Sequence, residues 1–143
     1  MTTIAFDGKI LAADKQATTN GLMHTTTKVF RISPYIRVAF AGSAPVGREL
    51  LNWARKGFDP EEFPEAARDI EDNYTVLVVV EDNQLRCYEA SPHSMVFEDL
   101  YFATGSGAGL ATAAMALGKN AVEAIELATK LDSQTGMGID FLD

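Results

Sequence analysis

The chain has 143 residues, 47% of them hydrophobic and 22% charged, which predicts one domain able to bury a real core. Twenty acidic against twelve basic side chains leave a net charge of −8, which argues against nucleic acid or an anionic membrane surface as partner. The single cysteine, Cys87, excludes an internal disulfide and a cysteine-based zinc cluster and fits a reducing compartment; His24 and His93 are too few for a histidine-rich metal centre. The longest apolar run, Val76–Val80, is far short of a membrane span, and no charged-then-apolar leader precedes the first strand. The expectation is a soluble, cytoplasmic α/β protein.

In chain order, Thr3–Phe6 and Lys9–Ala13 read as strands around Asp7-Gly8, a dipeptide suited to a two-residue type I′ turn because both central residues take positive φ. Thr18-Thr19-Asn20-Gly21 is a second turn. Strand resumes near Thr25–Thr27 and through Lys28–Ile32, breaks at Ser33-Pro34, and returns over Tyr35–Ala41. A helix follows, with Ser43 as N-cap, Pro45 in the first turn, an apolar face of Val46, Leu50, Trp53 and Ala54, and Gly57 as its stop. The acidic stretch Phe58–Asn73 contains Pro60 and Pro64 and is predicted as loop with a short helix around Glu65–Ile70.

Strands are predicted at Thr75–Val80 and Gln84–Ala90, with shorter ones at Ser94–Glu98 and Leu100–Thr104. Leu110–Leu117 is an alanine-rich helix ended by Gly118. Asn120 and Glu123 then form a capping-box pattern for a second helix, whose apolar stripe is Val122, Ile125, Ala128 and Leu131. A loop through Gln134–Gly138 leads to a last strand, Ile139–Leu142. Antiparallel hairpins with helices entering in blocks predict two sheets sandwiched between helical layers. The run Gly105-Ser106-Gly107-Ala108-Gly109 lacks both the Lys-Ser/Thr ending of a phosphate loop and a placed ribose-binding acid, so nucleotide binding is rejected.

The chemistry centres on Thr2. Removal of Met1, which a small second residue permits, leaves a hydroxyl and a free α-amine on one residue. An α-amine titrates at about 7.7–8.0 and can serve as base for its own hydroxyl.

Thr2-Thr3-Ile4-Ala5-Phe6, Leu11-Ala12-Ala13-Asp14 and Ala17-Thr18 resemble the start of proteasome β subunits and of the bacterial peptidase HslV, which are N-terminal-nucleophile (Ntn) hydrolases. The resemblance continues in family order through Lys28-Val29-Phe30, Phe40-Ala41-Gly42-Ser43, Thr104–Ala108 and Leu131–Gly138. It implies an α+β fold of the four-layer αββα Ntn type and a threonine endopeptidase. Thr2 is then the nucleophile, and Lys28 the cation that favours its alkoxide. Asp14 orients that lysine across neighbouring strands. Gly42 offers the oxyanion N–H, or is there only to make its turn. Ser106 assists the amine or caps the following helix, with Asp132 and Thr135 in the loop behind.

The same resemblance implies substrate contacts at Thr18, Phe40 and Gly42, with Phe40 either the floor of an apolar specificity pocket or a core residue. It also implies a structural monovalent or divalent cation on the backbone carbonyls of Thr129, Asp132 and Thr135, and no required cofactor. Peptide or unfolded protein is the expected substrate, a homo-oligomeric ring the expected assembly, and an ATP-dependent unfoldase a partner of such rings. Two departures from the pattern stand out. The first hairpin is tighter than in the family, and Gly57–Asn73 is too short and proline-rich for the family's second long helix, so the outer helical layer is reduced. A non-catalytic ring-forming subunit and a small-amide Ntn amidohydrolase are the alternative readings. His24 and His93 are read as exposed.

Overall fold

A computed structural model of the chain describes residues 2–143. In order, the elements are β1 (Thr3–Phe6), β2 (Leu11–Asp14), β3 (Gln16–Thr19), β4 (Leu22–Thr25), β5 (Val29–Ser33), β6 (Ile36–Gly42) and helix α1 (Ala44–Arg55). They continue with β7 (Thr75–Glu81), β8 (Gln84–Glu89), β9 (Met95–Phe97), β10 (Phe102–Gly105), α2 (Ala108–Ala116), α3 (Ala121–Leu131) and β11 (Ile139–Leu142). Two compact units result, Met1–Phe30 with Asp99–Asp143, and Arg31–Glu98.

The first unit is a four-stranded antiparallel sheet in the order β10-β1-β2-β11, with α2 and α3 packed on it. Its core is built from small side chains. Ala5 and Ala12 on the sheet meet Ala111, Ala114, Ala121 and Ala124 on the helices, and Ile125 is fully buried among them. Asn120 accepts from the Glu123 N–H while Glu123 accepts from the Asn120 N–H, so the expected capping box is present. The stripe on α3 differs from expectation at its end, since Leu131 is 68% exposed. Ala121, Ala124, Ile125 and Ala128 form the buried face instead, because contact with α2 and the sheet is close enough to select alanine.

The turn after β1 also differs. Phe6 pairs with Leu11, leaving a four-residue connection, and Asp7 keeps a negative φ. Its carboxylate Oδ1 accepts from the N–H groups of Lys9 and Ile10 at 2.9 and 2.7 Å, while Oδ2 accepts from Ala121 at the start of α3 at 2.8 Å. An aspartate that caps its own loop and a neighbouring helix has no need of the type I′ geometry. That geometry sits at Asn20-Gly21, where φ is +53° and +77°, and closes the β3–β4 ribbon, which the sequence reading takes as turn and loop.

In the second unit, the five-stranded sheet runs β5-β6-β7-β8-β9. Val76–Val80 of β7 are buried throughout, as a continuous apolar run in a central strand requires. Ser43 caps α1 as expected, its hydroxyl accepting from the Val46 N–H. The stretch after α1 forms only two single-turn 3₁₀ helices, Pro60–Glu62 and Glu65–Arg68, consistent with its prolines. It is anchored by Trp53, whose ring meets Phe58, Phe63 and Tyr88 edge-on at 5.0–5.3 Å between centroids and whose indole N–H donates to the Asp59 carbonyl at 2.7 Å. Cys87 is buried, and burial pushes its thiol up to about 12, so it is an inert core residue. Among the described residues no helix is long and apolar enough to cross a membrane.

The close alanine packing of the first unit is directly testable. Ala114 is buried between α2 and its neighbours, whereas Ala113 is exposed. Ala114→Leu is expected to destabilise the protein by about 1–3 kcal/mol in a denaturant titration, and Ala113→Leu to stay within about 0.5 kcal/mol of wild type.

Candidate functional site

At the end of β2, Asp14 is completely buried. A carboxylate there is tolerated only if its lone pairs are filled. Oδ1 accepts from Lys28 Nζ at 3.0 Å and from the Thr3 N–H at 3.0 Å. Oδ2 accepts from the Gly136 N–H at 3.1 Å and the Gln16 N–H at 3.3 Å. Lys28 is itself only 4% exposed. The expected approach across neighbouring strands does not hold, because the strands beside β2 are β1 and β11 and Lys28 lies on neither. It stands in the connection between β4 and β5, one residue before β5 begins. Burial lowers the pKa of the Lys28 ammonium below its ordinary value, with Asp14 pulling the other way.

A second carboxylate follows the end of α3. Asp132 Oδ2 accepts from the Ser106 hydroxyl and from the Thr135 hydroxyl, each at 2.6 Å, while Oδ1 accepts from the Gln134 N–H at 3.1 Å. The hydroxyl bonds from Ser106 and then Thr135 hold this carboxyl below the usual range, favouring the anion. Thr135 is buried and also lies 2.7 Å from the hydroxyl of Thr3, which accepts from the Gly107 N–H at 2.9 Å.

Between these two carboxylates lies the peptide that joins Thr2 to Thr3. The Thr2 carbonyl accepts from the Ser106 N–H at 3.0 Å, and the Thr3 N–H donates to Asp14. Both ends of one peptide unit are thus held. Gly105, paired with Thr3 across β1–β10, makes this approach feasible. Its φ is +100°, and a Cβ there would lie 1.6 Å from the Thr2 carbonyl oxygen. Thr2 is 6% exposed.

The family described as "Proteasome subunit" matches residues 2–67. Among solved structures, HslV from Trypanosoma brucei superposes with a TM-score of 0.70 at 20% identity, covering 99% of this chain and 98% of that one. The chain resembles the proteasome and HslV family. Thiobacillus denitrificans BPH in complex with epoxomicin gives a TM-score of 0.71 at 16% identity, covering 99% of this chain and 96% of that one. No curated protein matches the chain. The α+β fold is therefore one shared with these HslV and BPH structures, and the segment after α1 carries only the two 3₁₀ turns, with no second long helix.

Of the residues singled out from sequence, Thr2, Asp14, Lys28, Ser106, Asp132 and Thr135 all belong to the first unit of this HslV-like fold, and the contacts above link them. The expected removal of Met1 lies outside the described residues. Thr18 is exposed on β3 and accepts from the Gln16 amide at 3.3 Å. Phe40 and Gly42 lie on β6 of the second unit. Phe40 is buried against α1, where a Cβ on Gly47 would meet its ring at 2.1 Å, so it packs as core. Gly42 has φ +119°, and a Cβ there would lie 2.2 Å from the Tyr74 carbonyl oxygen. His24 and His93 are exposed, as expected.

Among the described residues no group of three or more His, Cys, Asp and Glu side chains is placed to hold a metal. Of the three carbonyls considered for a cation, that of Asp132 already accepts the Thr135 N–H at 3.1 Å, so only its second lone pair remains to serve as ligand.

Sequence reasoning missed Thr3, Gln16 and Gly136. Thr3 is fully buried beside the nucleophile candidate, and its neighbours Ile4, Ala5 and Phe6 make it read as one more strand residue.

The depressed pKa of Lys28 sets a pH dependence. Between the lowered folded value and the ordinary 10.5, the unfolded chain holds a proton that the folded one does not, so the lysine makes stability rise with pH across that window. Lys28→Met is expected to be less stable overall, because Asp14 loses its ion-pair partner, and to lack that component of the rise. Denaturant titrations of both proteins from neutral pH to 10.5 measure the difference in slope.

Proposed function

We propose that this protein is a threonine peptidase in which Thr2, once Met1 is removed, is the N-terminal nucleophile. The observation that carries the reading is the clamped Thr2–Thr3 peptide, with a buried lysine–carboxylate pair at its N–H end and a serine–carboxylate pair at its carbonyl end. Such clamping fixes the first residue before substrate arrives, and pre-organisation of this kind is what a nucleophile needs.

In the reaction, Thr2 Oγ1 attacks the peptide carbonyl while its own α-amine accepts the hydroxyl proton. The protonated amine then delivers that proton to the departing amine, leaving an acyl ester on Thr2. Water, deprotonated by the same amine, cleaves the ester and restores the hydroxyl. The Lys28 ammonium lowers the cost of alkoxide character on Thr2, and Asp14 holds the lysine in place. The Ser106 proton is committed to Asp132, so the serine offers lone pairs that can accept from the Thr2 amine.

Peptide or unfolded protein is the substrate class in this reading. A closed homo-oligomeric ring in the cytoplasm, fed by an ATP-dependent unfoldase, is the setting that confines such a nucleophile. A monovalent or divalent cation on the carbonyls of Thr129, Asp132 and Thr135 is an accessory to it, favoured by the negative end of α3; no chemical step depends on it.

The test is covalent labelling with epoxomicin, the compound in the Thiobacillus denitrificans BPH structure. An epoxyketone carries two electrophilic carbons and so reports a hydroxyl and a free amine on one residue. The expected result is a single adduct on Thr2, abolished in Thr2→Ala. Adduct formation elsewhere, or equal peptide hydrolysis by wild type and Thr2→Ala, refutes the reading.

Lys28→Ala is expected to lower kcat with little change in KM, because the ammonium acts on charge that develops during attack. Lys28→Arg should not rescue it, since a planar guanidinium does not replace a compact ammonium in a site this closed. Steady-state kinetics on an unstructured peptide decide both.

A further inference from the structure

We propose that Thr3 is a positioning residue whose hydroxyl sets the Ser106–Asp132 pair against Thr2, a role that rests on the peptidase reading above. Proton direction decides the role of each hydroxyl. Asp132 is an anion and can only accept, so the single hydroxyl proton of Thr135 goes to Asp132 Oδ2. The 2.7 Å contact between Thr135 and Thr3 therefore uses the proton of Thr3, and Thr3 Oγ1 is left to accept the Gly107 N–H. The bonds run one way, from Gly107 through Thr3 and Thr135 to Asp132.

One hydroxyl thus grips both sides of the serine–carboxylate pair. Toward the serine, it holds the N–H of Gly107, the residue directly after Ser106. Toward the carboxylate, it holds Thr135 and through it the oxygen that Ser106 itself uses. The neighbouring Ser106 N–H is fixed on the Thr2 carbonyl. The distance from the Ser106 hydroxyl to Thr2 is accordingly set by Thr3. Gly107 is shaped for this contact, because a Cβ there would lie 2.5 Å from Thr3 Oγ1 and 2.9 Å from the Ala128 Cβ. Thr3 is wholly buried, so it does not touch substrate.

The experiment compares wild type, Thr3→Val and Thr3→Ser. Valine removes the hydroxyl, serine keeps it, and both retain the N–H on Asp14. Thr3→Val is expected to fold, to exchange the Gly107 amide proton faster than wild type, and to lose about ten- to a hundredfold in kcat with KM within about twofold. Labelling of Thr2 by epoxomicin should slow in parallel. Thr3→Ser should restore amide protection and keep kcat within about threefold of wild type.

Wild-type kcat in a folded Thr3→Val overturns the proposal, as does a Thr3→Ser that loses as much as Thr3→Val, which would assign the effect to packing. If Thr3→Val does not fold, Thr3→Ala against Thr3→Ser supplies the same contrast with the same outcomes. A wild type that neither hydrolyses peptide nor takes up epoxomicin refutes the peptidase reading and this role with it. Wild-type turnover alongside an unaffected Thr3→Val refutes this role alone.

Discussion

Much of the first unit depends on how the buried carboxylate of Asp14 is satisfied. Its two oxygens accept from four N–H donors among the described residues: the Lys28 ammonium and the backbone of Thr3, Gln16 and Gly136. Those donors come from the start of β1, the start of β3, the connection before β5 and the loop before β11, so one side chain brings four chain segments to a point. Removing one partner of such a buried pair typically costs about 3–5 kcal/mol, because a charge is left where water cannot reach it. The local architecture and the candidate chemistry therefore share a cause. The charge that draws Lys28 inward also draws in the Thr3 N–H, and with it the peptide that carries Thr2.

The second carboxylate works under different conditions. Asp132 is half-buried and Ser106 exposed, so solvent shares in stabilising the anion. What fixes it is geometry, namely two short hydroxyl bonds on one oxygen and a backbone N–H on the other. Two anions in unlike surroundings thus serve the two ends of one peptide. The buried one tunes a lysine through proximity, and the half-exposed one dictates which way hydroxyl protons point.

Much of this arrangement is legible in sequence, for reasons that differ by element. The helix starts at Ser43 and Asn120 are local chemistry, a side-chain oxygen next to unpaired N–H groups, and they appear as predicted. The Asp14–Lys28 ion pair is foreseen, but by resemblance, and its route is not. A lysine in a connecting segment has no periodicity to read. Asp7-Gly8 misleads because the dipeptide rule considers only the turn, whereas the Asp7 carboxylate also caps Ala121, far along the chain. Leu131 misleads because helical periodicity identifies a stripe but not where the partner surface ends. Thr3 is invisible because a buried threonine and a buried valine make the same strand pattern, and only the position of Thr135 and Gly107 tells them apart.

The glycine run after β10 shows how one pattern can serve opposite purposes. Gly105-Ser106-Gly107 superficially resembles a loop that offers N–H groups to phosphate, and the sequence rejects that reading only on missing companions. The structure gives a positive reason for the glycines. A side chain at 105 would strike the Thr2 carbonyl oxygen, and one at 107 would strike the Thr3 hydroxyl. With both absent, the turn closes on the first strand, and its N–H groups are spent within the protein, Ser106 on Thr2 and Gly107 on Thr3. A phosphate loop must leave its donors open to a ligand. Here two consecutive donors are closed onto two consecutive threonines, so the glycines serve to hold the N-terminal strand and not to receive an anion.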